Sequence, residues 1–231
     1  MVTSSRPLWL ITGAAGELGA ELIRQLAATG ADCVALDRNE DALNRLHDQM
    51  LEQGSDAPAL LPFDLAGAAP MHYEQVADRI SQQYGRLDGL IHNAADFKAL
   101  RPMVHQSAEE WLGILQAGVT APQMLNTALI GLLQSTANSK LVFINDAECL
   151  QHPANWAAYG VAQAARKWMV EALGRELSAG QPEVLSIDPG AFYSRLRVAA
   201  WPVAQPGEFD PIELVAGRVL KSIQEGSSSD V

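Results

Sequence analysis

The sequence predicts an α/β protein built on a doubly wound parallel sheet of about six strands, with helices on both faces. Six short apolar runs recur along the 231 residues, and amphipathic helical stretches separate them. The runs are continuously apolar rather than alternating, as in parallel strands that are buried on both faces. Strand–helix alternation of this kind indicates βαβ units joined by right-handed crossovers.

The predicted strands begin close to the amino terminus and recur along the chain. They are the apolar runs Leu8–Ile11, Cys33–Leu36, Ala59–Leu61, Leu87–Ile91, Leu141–Ile144 and Val184–Ile187. Helical spacing follows the first run, where Leu18, Leu22 and Leu26 would share one face. No linker or repeat interrupts the alternation, so we expect one domain over residues 1–231, with a Ser-rich tail at 226–231 that frays.

Charge and composition narrow the possible partners. The formal net charge of −11 predicts a surface that repels phosphate backbones and anionic lipids, which argues against nucleic acid and membranes as partners. No apolar run approaches the ~20 residues of a membrane-spanning helix. The histidines lack metal-ligand spacing, which predicts no metal site, and Cys33 and Cys149 are expected to be small buried residues. We therefore expect a cytoplasmic protein.

A glycine-rich turn follows the first predicted strand. The segment TGAAGELG contains Gly13, Gly16 and Gly19, together with Leu18, and it opens a predicted helix. Glycines at such a turn let the backbone approach a pyrophosphate, and the free N–H groups of the helix N-terminus face the anion. A strand, a glycine turn and a helix in this order predict a Rossmann-type dinucleotide site.

The end of the second strand bears on which dinucleotide is bound. Asp37 ends that apolar run, eighteen residues beyond Gly19. A carboxylate there suits the 2′-hydroxyl of an adenosine ribose and repels a 2′-phosphate, which favours NAD over NADP. Arg38 follows directly and could reverse this preference by pairing with a 2′-phosphate, although a solvated arginine at a helix start is an equal alternative. The sequence thus predicts NAD.

Four motifs, in order along the chain, resemble those of the short-chain dehydrogenase/reductase superfamily. They are TGAAGELG, Asp64-Leu65, Asn93-Ala94-Ala95, and Pro189-Gly190 followed by Ser194. The resemblance implies that these motifs in turn hold the pyrophosphate, meet the adenine ring, support the adenosine side, and lead to the nicotinamide side. One departure is Glu17, where short members of the superfamily have glycine. Its carboxylate would repel a pyrophosphate if it pointed inward.

The catalytic half of the resemblance is less complete. The segment NWAAYGVAQAA is similar to the one around the superfamily's catalytic tyrosine, which places Tyr159 in that role. The superfamily also uses a lysine, a serine and an asparagine, and here those three positions are Gln163, Asp146 and Gly118. A tyrosine titrates near pH ~10 and needs a nearby cation to act near neutrality. Losing the lysine and gaining a carboxylate both disfavour the tyrosinate.

These substitutions leave two functional hypotheses. The first is a dinucleotide-binding protein whose standard oxidoreductase chemistry is impaired or lost, with Tyr159 inherited as a half-buried aromatic. The alternative is an active NAD(P)-dependent oxidoreductase on a small carbonyl or alcohol, in which Tyr159 works with Asp146 or Gln163. The aromatic stretch at about 190–210 is expected to cover the substrate.

Assembly is predicted from the same resemblance. Tetramers of the superfamily use one two-fold contact through the long helices that follow the fourth and fifth strands, here about 108–133 and 155–177. The other contact relies on a seventh strand, which we expect to be absent because the sequence ends soon after its last predicted helix. We therefore expect a homodimer, with Ala164, Trp168 and Leu125 among its interface residues.

Overall fold

Parallel strands form the sheet at the centre of the fold. The computed structural model describes residues 6–177 and 180–226. The strands are β1 (Leu8–Thr12), β2 (Asp32–Asp37), β3 (Ala59–Pro62), β4 (Gly89–His92), β5 (Lys140–Ile144) and β6 (Glu183–Ile187). Within the described residues they make a six-stranded sheet in the order β3-β2-β1-β4-β5-β6, with every pair parallel. The predicted Rossmann-type sheet is confirmed.

Helices connect the strands. They are α1 (Glu17–Ala28), α2 (Glu40–Glu52), α3 (Pro70–Tyr84), α4 (Ala108–Leu115), α5 (Ala121–Ser135), α6 (Ala147–Gln151), α7 (Ala157–Glu176), α8 (Arg195–Ala200) and α9 (Ile212–Glu225). A π-helical turn over Gln116–Thr120 joins α4 to α5. Side chains of Asn39, Ser107 and Asp146 cap α2, α4 and α6 by accepting a backbone N–H.

Side chains along the strands alternate between two apolar layers, as the pleat of a strand requires. On one face, Ile11 and Ile91 pack in the layer formed with α1, α2 and α9. On the other face, Leu10 and Leu90 pack in the layer that contains α3 and α5 and the apolar side of α7. Both faces of the sheet are thus covered by helices, which explains why the strand sequences are continuously apolar.

The strand order reverses between β1 and β4, and this places the crevice of the fold at the carboxyl ends of those strands. The loops that leave these ends carry the residues of interest. At the other end of the chain, Gly226 closes α9 with a φ of 64°. The rest of the predicted frayed tail, 227–231, lies outside the described residues. Among the described helices, none is long and apolar enough to cross a membrane.

Candidate functional site

The glycine turn after β1 lies against the segment that follows β4. Gly13 has a φ of +66°, and a Cβ there would lie 2.7 Å from the Cα of Ala94. A Cβ on Gly19 would lie 2.3 Å from the carbonyl oxygen of Gly13. Neither position leaves room for a side chain, so the turn requires glycine at both. The backbone of this turn therefore lines the crevice directly, beside the N-terminus of α1.

Asn93 and Thr12 hold these two segments together. The Asn93 amide Nδ2 donates to the carbonyl oxygens of Thr12 and Gly13, each at 3.1 Å. The Thr12 hydroxyl oxygen in turn accepts from the backbone amides of Asn93 and Ala94, each at 3.1 Å. Through these hydrogen bonds, the Asn-Ala-Ala segment shapes the glycine turn.

A cleft of about 370 Å³ runs along the carboxyl ends of β1, β2 and β3. It brings together the predicted cofactor residues Gly13, Asp37, Arg38, Asp64, Leu65 and Ala94. Gly16 and Gly19 do not line it, because Gly16 caps α1 and Gly19 packs beneath the turn. A turn stripped of side chains at a helix N-terminus fits a pyrophosphate, so the residues present fit a dinucleotide.

Glu17, the departure from the short superfamily pattern, is paired with an arginine. The Arg195 Nε lies 3.2 Å from Glu17 Oε1, and Arg195 Nη2 donates to the carbonyl oxygen of Ala15 at 3.3 Å. Both charged side chains line the cleft. The pairing offsets the repulsion that a lone carboxylate would exert on a pyrophosphate. The sequence gives no signal for it, because the partners lie 178 residues apart.

At the adenosine end, the Asp37 carboxylate is engaged by the protein's own backbone. Its two oxygens accept from the amides of Ala15 at 3.1 Å and Asn39 at 3.0 Å. The neighbouring Arg38 side chain is 58% exposed, and its Nη2 lies 3.8 Å from Asp96. Arg38 lines the cleft, where its guanidinium is able to bind a phosphate group.

A second cavity, of about 140 Å³, lies at the carboxyl ends of β5 and β6. Its lining contains the predicted catalytic residues Tyr159, Asp146 and Gln163 and the predicted cofactor residues Leu18, Asn93, Pro189, Gly190 and Ser194. The structure therefore brings the two predicted groups together. Gly118 is the exception, because it lines a smaller neighbouring cavity on the side of α4 and the π-helical turn.

Tyr159 and Asp146 form a hydrogen-bonded pair in this second cavity. The Tyr159 hydroxyl donates to Asp146 Oδ2 at 3.0 Å, while Asp146 Oδ1 accepts from the backbone amide of Cys149 at 3.3 Å. Burial raises the pKa of Tyr159 well above its ordinary value, and the Asp146 charge raises it further. Burial also raises the pKa of Asp146, against the opposing effect of the Tyr159 hydrogen bond. The pair therefore favours a neutral tyrosine.

Gln163 occupies the lysine position without supplying its charge. Its side chain is buried, at 3% exposure, and Oε1 accepts from the backbone amide of Asp146 at 3.3 Å. The side chain lines both the second cavity and the small cavity beside Tyr159. A glutamine here can donate a hydrogen bond into the cavity, but it cannot lower the pKa of Tyr159 as a cation would.

Gly118, at the asparagine position, lies in the π-helical turn where that turn meets α7. A Cβ on Gly118 would lie 2.9 Å from the Cβ of Ala162, which is closer than two such carbons normally approach. The site therefore cannot recover an asparagine at this position without a shift of the turn or of α7. A close contact between the π-helical turn and α7 takes the place of the asparagine side chain.

We expect Gly118→Ala to lower the free energy of unfolding by about 1–3 kcal/mol, because overpacking a tight contact costs this much. Gly113→Ala in α4 is the matched control, since a Cβ at that position would meet no described atom within 4 Å. That substitution should stabilise the protein by roughly 0.5–1 kcal/mol through helix propensity. Denaturant melts of both variants measure the difference, and equal effects of the two substitutions would contradict the packing argument.

Arg166 is a buried cation that the sequence analysis missed. It is 1% exposed, and its guanidinium donates to the carbonyl oxygens of Gly118 at 2.8 Å, Ile144 at 3.1 Å and Ala94 at 2.7 Å. Gly118 lacks the usual helical donor because the residue four positions later is Pro122, which has no N–H. Its place near Tyr159 could have been predicted from spacing, because Arg166 follows Tyr159 by seven residues and so lies on the same face of the helix.

Arg166 ties together the three segments that surround Tyr159. They are the loop after β4, the end of β5 and the π-helical turn. Among the described residues no carboxylate forms an ion pair with Arg166, and burial lowers its pKa to about 10. Its charge lowers the pKa of Tyr159, but burial and Asp146 outweigh this effect. Arg166 therefore compensates only partly for the missing lysine.

Asp188 brings a further carboxylate to the second cavity, just before the Pro-Gly pair. Its oxygens accept from the backbone amides of Ala147 at 2.9 Å and Gly190 at 2.8 Å. Asp188 also raises the pKa of Asp146 through charge repulsion. Its contribution to the site was not predicted from the sequence.

The predicted lid region at about 190–210 contains α8 and carries aromatic side chains, of which Phe192 lines the second cavity. The Arg197 guanidinium lies over the ring of Trp201, 4.3 Å from its centroid, and Arg197 Nη2 lies 2.9 Å from Glu148 Oε2. Trp201 packs edge-on against Trp156, which in turn contacts Tyr159. An aromatic cluster thus supports Tyr159 from the side of the lid.

Neither cysteine side chain lines the cleft or the second cavity. Cys33 and Cys149 are both free and buried, as predicted. Burial raises the pKa of the Cys33 thiol to about 12 and also raises the pKa of Cys149. Over residues 6–177 and 180–226, no group of three or more His, Cys, Asp or Glu side chains is placed to hold a metal ion.

Comparison with known proteins identifies the family. The short chain dehydrogenase family matches residues 8–202, which include the glycine turn, the Tyr159–Asp146 pair and the Pro-Gly segment. This chain belongs to the short chain dehydrogenase family. The degenerate catalytic positions therefore lie in a true member of the family rather than in an unrelated α/β protein.

Relatives within the family are similar over most of their length. YciK of Escherichia coli strain K12, described as an uncharacterized oxidoreductase, is 32% identical over 197 residues, covering 85% of this chain and 78% of YciK. The solved structure of the oxidoreductase YciK from Escherichia coli has a TM-score of 0.89 at 29% identity, covering 96% of this chain and 92% of that one. These similarities show that this chain shares its fold with proteins described as oxidoreductases.

Two structural neighbours carry a cofactor, and they correct one prediction. A short chain dehydrogenase from Escherichia coli CFT073 is complexed with NADPH. Its TM-score is 0.88 at 30% identity, covering 94% of this chain and 92% of that one. Another, from Shigella flexneri, is complexed with NADP. Its TM-score is 0.85 at 30% identity, covering 91% of this chain and 89% of that one. The preference for NAD, inferred from Asp37, is therefore wrong. Two backbone amides partly satisfy the Asp37 carboxylate, and Arg38 lines the cleft with a guanidinium that suits a 2′-phosphate.

Proposed function

We propose that this chain binds NADP(H) in the cleft and that its standard carbonyl and alcohol chemistry is strongly weakened. The observation that carries the second part is the 3.0 Å hydrogen bond from the Tyr159 hydroxyl to the Asp146 carboxylate. Ionising this tyrosine would place two anions at hydrogen-bond distance, with Gln163 in place of the lysine that would offset them. The proton exchange that a carbonyl or alcohol needs from Tyr159 is therefore unfavourable.

Cofactor binding is supported by the better preserved half of the site. The glycine turn and the N-terminus of α1 would hold the pyrophosphate, with Arg195 beside them. Asp64 and Leu65 would flank the adenine, and Arg38 would hold the 2′-phosphate. At the other end, Gln163 would donate to the nicotinamide ribose. Bound NADPH supplies a hydride; the residues of this chain supply position and charge.

We expect Arg38→Ala to weaken NADPH binding about tenfold while leaving NADH binding unchanged, because a charge-assisted hydrogen bond to the 2′-phosphate is lost. Isothermal calorimetry with both nucleotides measures the two affinities. Arg45→Ala, which removes an exposed arginine from the neighbouring helix α2, is the matched control and should change neither affinity. Equal losses for NADPH and NADH in Arg38→Ala would contradict the assignment, and no NADPH binding by the unaltered protein would reject the proposal.

Assembly as a homodimer is part of the same proposal. Trp168 on α7 is 70% exposed and Leu112 on α4 is 66% exposed, which suits an apolar contact between two copies. Leu125 is fully buried in its own subunit, so its predicted place in the interface is wrong. A single domain over the whole chain and a cytoplasmic location remain predictions from the sequence.

We expect light scattering to report a mass near twice the 24.8 kDa of one chain, and Trp168→Glu to halve it, because a buried charge destabilises an apolar interface. Val203→Glu, at an exposed position in the lid region, is the control and should leave the mass unchanged. A mass near one chain or near four chains for the unaltered protein would contradict the dimer.

A further inference from the structure

The second cavity has an unusual balance of charge. Three carboxylates line it, those of Asp146, Glu148 and Asp188. In the part of the chain that the structure describes, the cation in the same lining is Arg197, and it is paired with Glu148 at 2.9 Å. In the family pattern the positions of Gln163 and Asp146 are a lysine and a serine, with a joint charge of +1. Here their joint charge is −1. Both replacements make the cavity more negative.

The carboxylate nearest to Tyr159 has neutral partners. Asp146 accepts from the Tyr159 hydroxyl and from the Cys149 backbone amide, so hydrogen bonds stabilise its charge without cancelling it. Arg166 is outside the lining of this cavity, and its guanidinium is directed at three backbone carbonyls. A half-buried carboxylate of this kind gains from a ligand that brings a positive charge.

Apart from the three carboxylates and Arg197, the lining of the second cavity is neutral. Gln163 is buried at 3% exposure and lines the cavity, and its Oε1 accepts from the backbone amide of Asp146. Leu18, Ile144 and Phe192 supply apolar surface in the same lining. The arrangement therefore offers an apolar wall and a carboxylate, which suit a small organic cation.

We propose that the substrate group of this site is a protonated or alkylated carbon–nitrogen double bond, a small iminium ion, rather than a neutral carbonyl. This inference rests on the proposed binding of NADP(H). The iminium charge would pair with the Asp146 carboxylate, and Tyr159 would hold that carboxylate in place through its hydrogen bond. The lysine that is essential beside a carbonyl would repel such a substrate, so its replacement by Gln163 becomes favourable.

The reaction balances without an ionised tyrosine. The iminium carbon gains a hydride from the reduced nicotinamide and forms a C–H bond, while the π electrons of the C=N bond become the lone pair on nitrogen. The substrate loses its positive charge and becomes a neutral amine, and the nicotinamide gains that charge as it is oxidised. Tyr159 keeps its proton throughout. The electrostatic obstacle to carbonyl reduction is thus absent for an iminium.

The experiment compares two substrates of similar size, the cation N-methyl-1-pyrrolinium and the neutral ketone cyclopentanone, by the loss of NADPH absorbance. We expect kcat/KM for the iminium to exceed that for the ketone at least about tenfold. We expect Asp146→Asn to lower kcat/KM for the iminium at least about tenfold, because a charged pair is lost. Asp48→Asn removes an exposed carboxylate on α2 and should leave turnover unchanged. Equal turnover of both substrates, or an iminium rate indifferent to Asp146→Asn, would overturn the inference.

A binding measurement separates this inference from the proposed function. Calorimetry with the cation N-methylpyrrolidinium, with and without NADP, should show binding to the unaltered protein that Asp146→Asn weakens. If NADP binds but the cation binds in neither state, the inference is wrong and the proposed function stands. If the cation binds and NADP does not, the proposed function is wrong. Asp188→Asn serves as a second variant in the same cavity, with a smaller expected loss of cation affinity.

Discussion

Replacing Arg166 by methionine should destabilise the protein by about 3–6 kcal/mol, because it removes the donor from two buried carbonyl oxygens and one half-buried carbonyl oxygen, each at a cost of roughly 1–2 kcal/mol. The three carbonyls belong to Gly118, Ile144 and Ala94. Methionine keeps much of the apolar stem, so the loss reports on the hydrogen bonds rather than on volume. Such a loss is a large part of the stability of a typical domain.

Lys167→Met is the matched control for this prediction. Lys167 is the next residue on α7 and is exposed, so the same chemical change there should alter the free energy of unfolding by no more than about 0.5 kcal/mol. Denaturant melts followed by circular dichroism measure both variants. A loss below about 1 kcal/mol for Arg166→Met would show that water satisfies the three carbonyls in its absence.

A second large effect is expected from restoring two catalytic positions together. Asp146→Ser with Gln163→Lys should raise kcat/KM for reduction of a small ketone by about 100-fold, which is the scale of general acid catalysis. The lysine adds a cation beside Tyr159 and the serine removes the anion, and both changes lower the pKa of Tyr159. Serine also accepts the N–H that Asp146 now accepts at the start of α6, so the cap is retained.

The double variant needs controls that assign the gain to Tyr159. Adding Tyr159→Phe should abolish the increase, and either single replacement should give less than the pair. NADPH affinity should be measured for each variant, so that a change in binding is not mistaken for a change in chemistry. An absence of gain with intact NADPH binding would show that the Gly118 position, which has no polar side chain, limits the reaction instead.

Much of the fold and half of the candidate site could be predicted from local patterns. Continuous apolar runs predicted the strands to within two residues at each end, because a strand buried on both faces leaves this signature regardless of its partners. The glycine turn was equally visible, since Gly13 and Gly19 are required by close backbone contacts that no other residue allows. The replacements at Tyr159's neighbours were also evident, because their spacing along the chain is fixed by the family pattern.

Other features depended on residues that are far apart in sequence. Asp37 looked like a ribose ligand, but its two oxygens also hold backbone amides of Ala15 and Asn39. Glu17 looked unfavourable, but Arg195 neutralises it from 178 residues away. Leu125 looked like an interface residue, but α5 directs its side chain into the core of the same subunit. In each case the sequence specifies the chemical group correctly and leaves its partner undetermined.

The sequence by itself determined which groups are present near Tyr159: an aspartate, a glutamine and a glycine, with an arginine seven residues later. Only the tertiary structure decided what they do, by pairing the tyrosine hydroxyl with Asp146 and by directing Arg166 to the carbonyls of three separate segments. The physical reason is that pKa values and buried hydrogen bonds depend on distances across the fold, whereas residue patterns report only on neighbours along the chain.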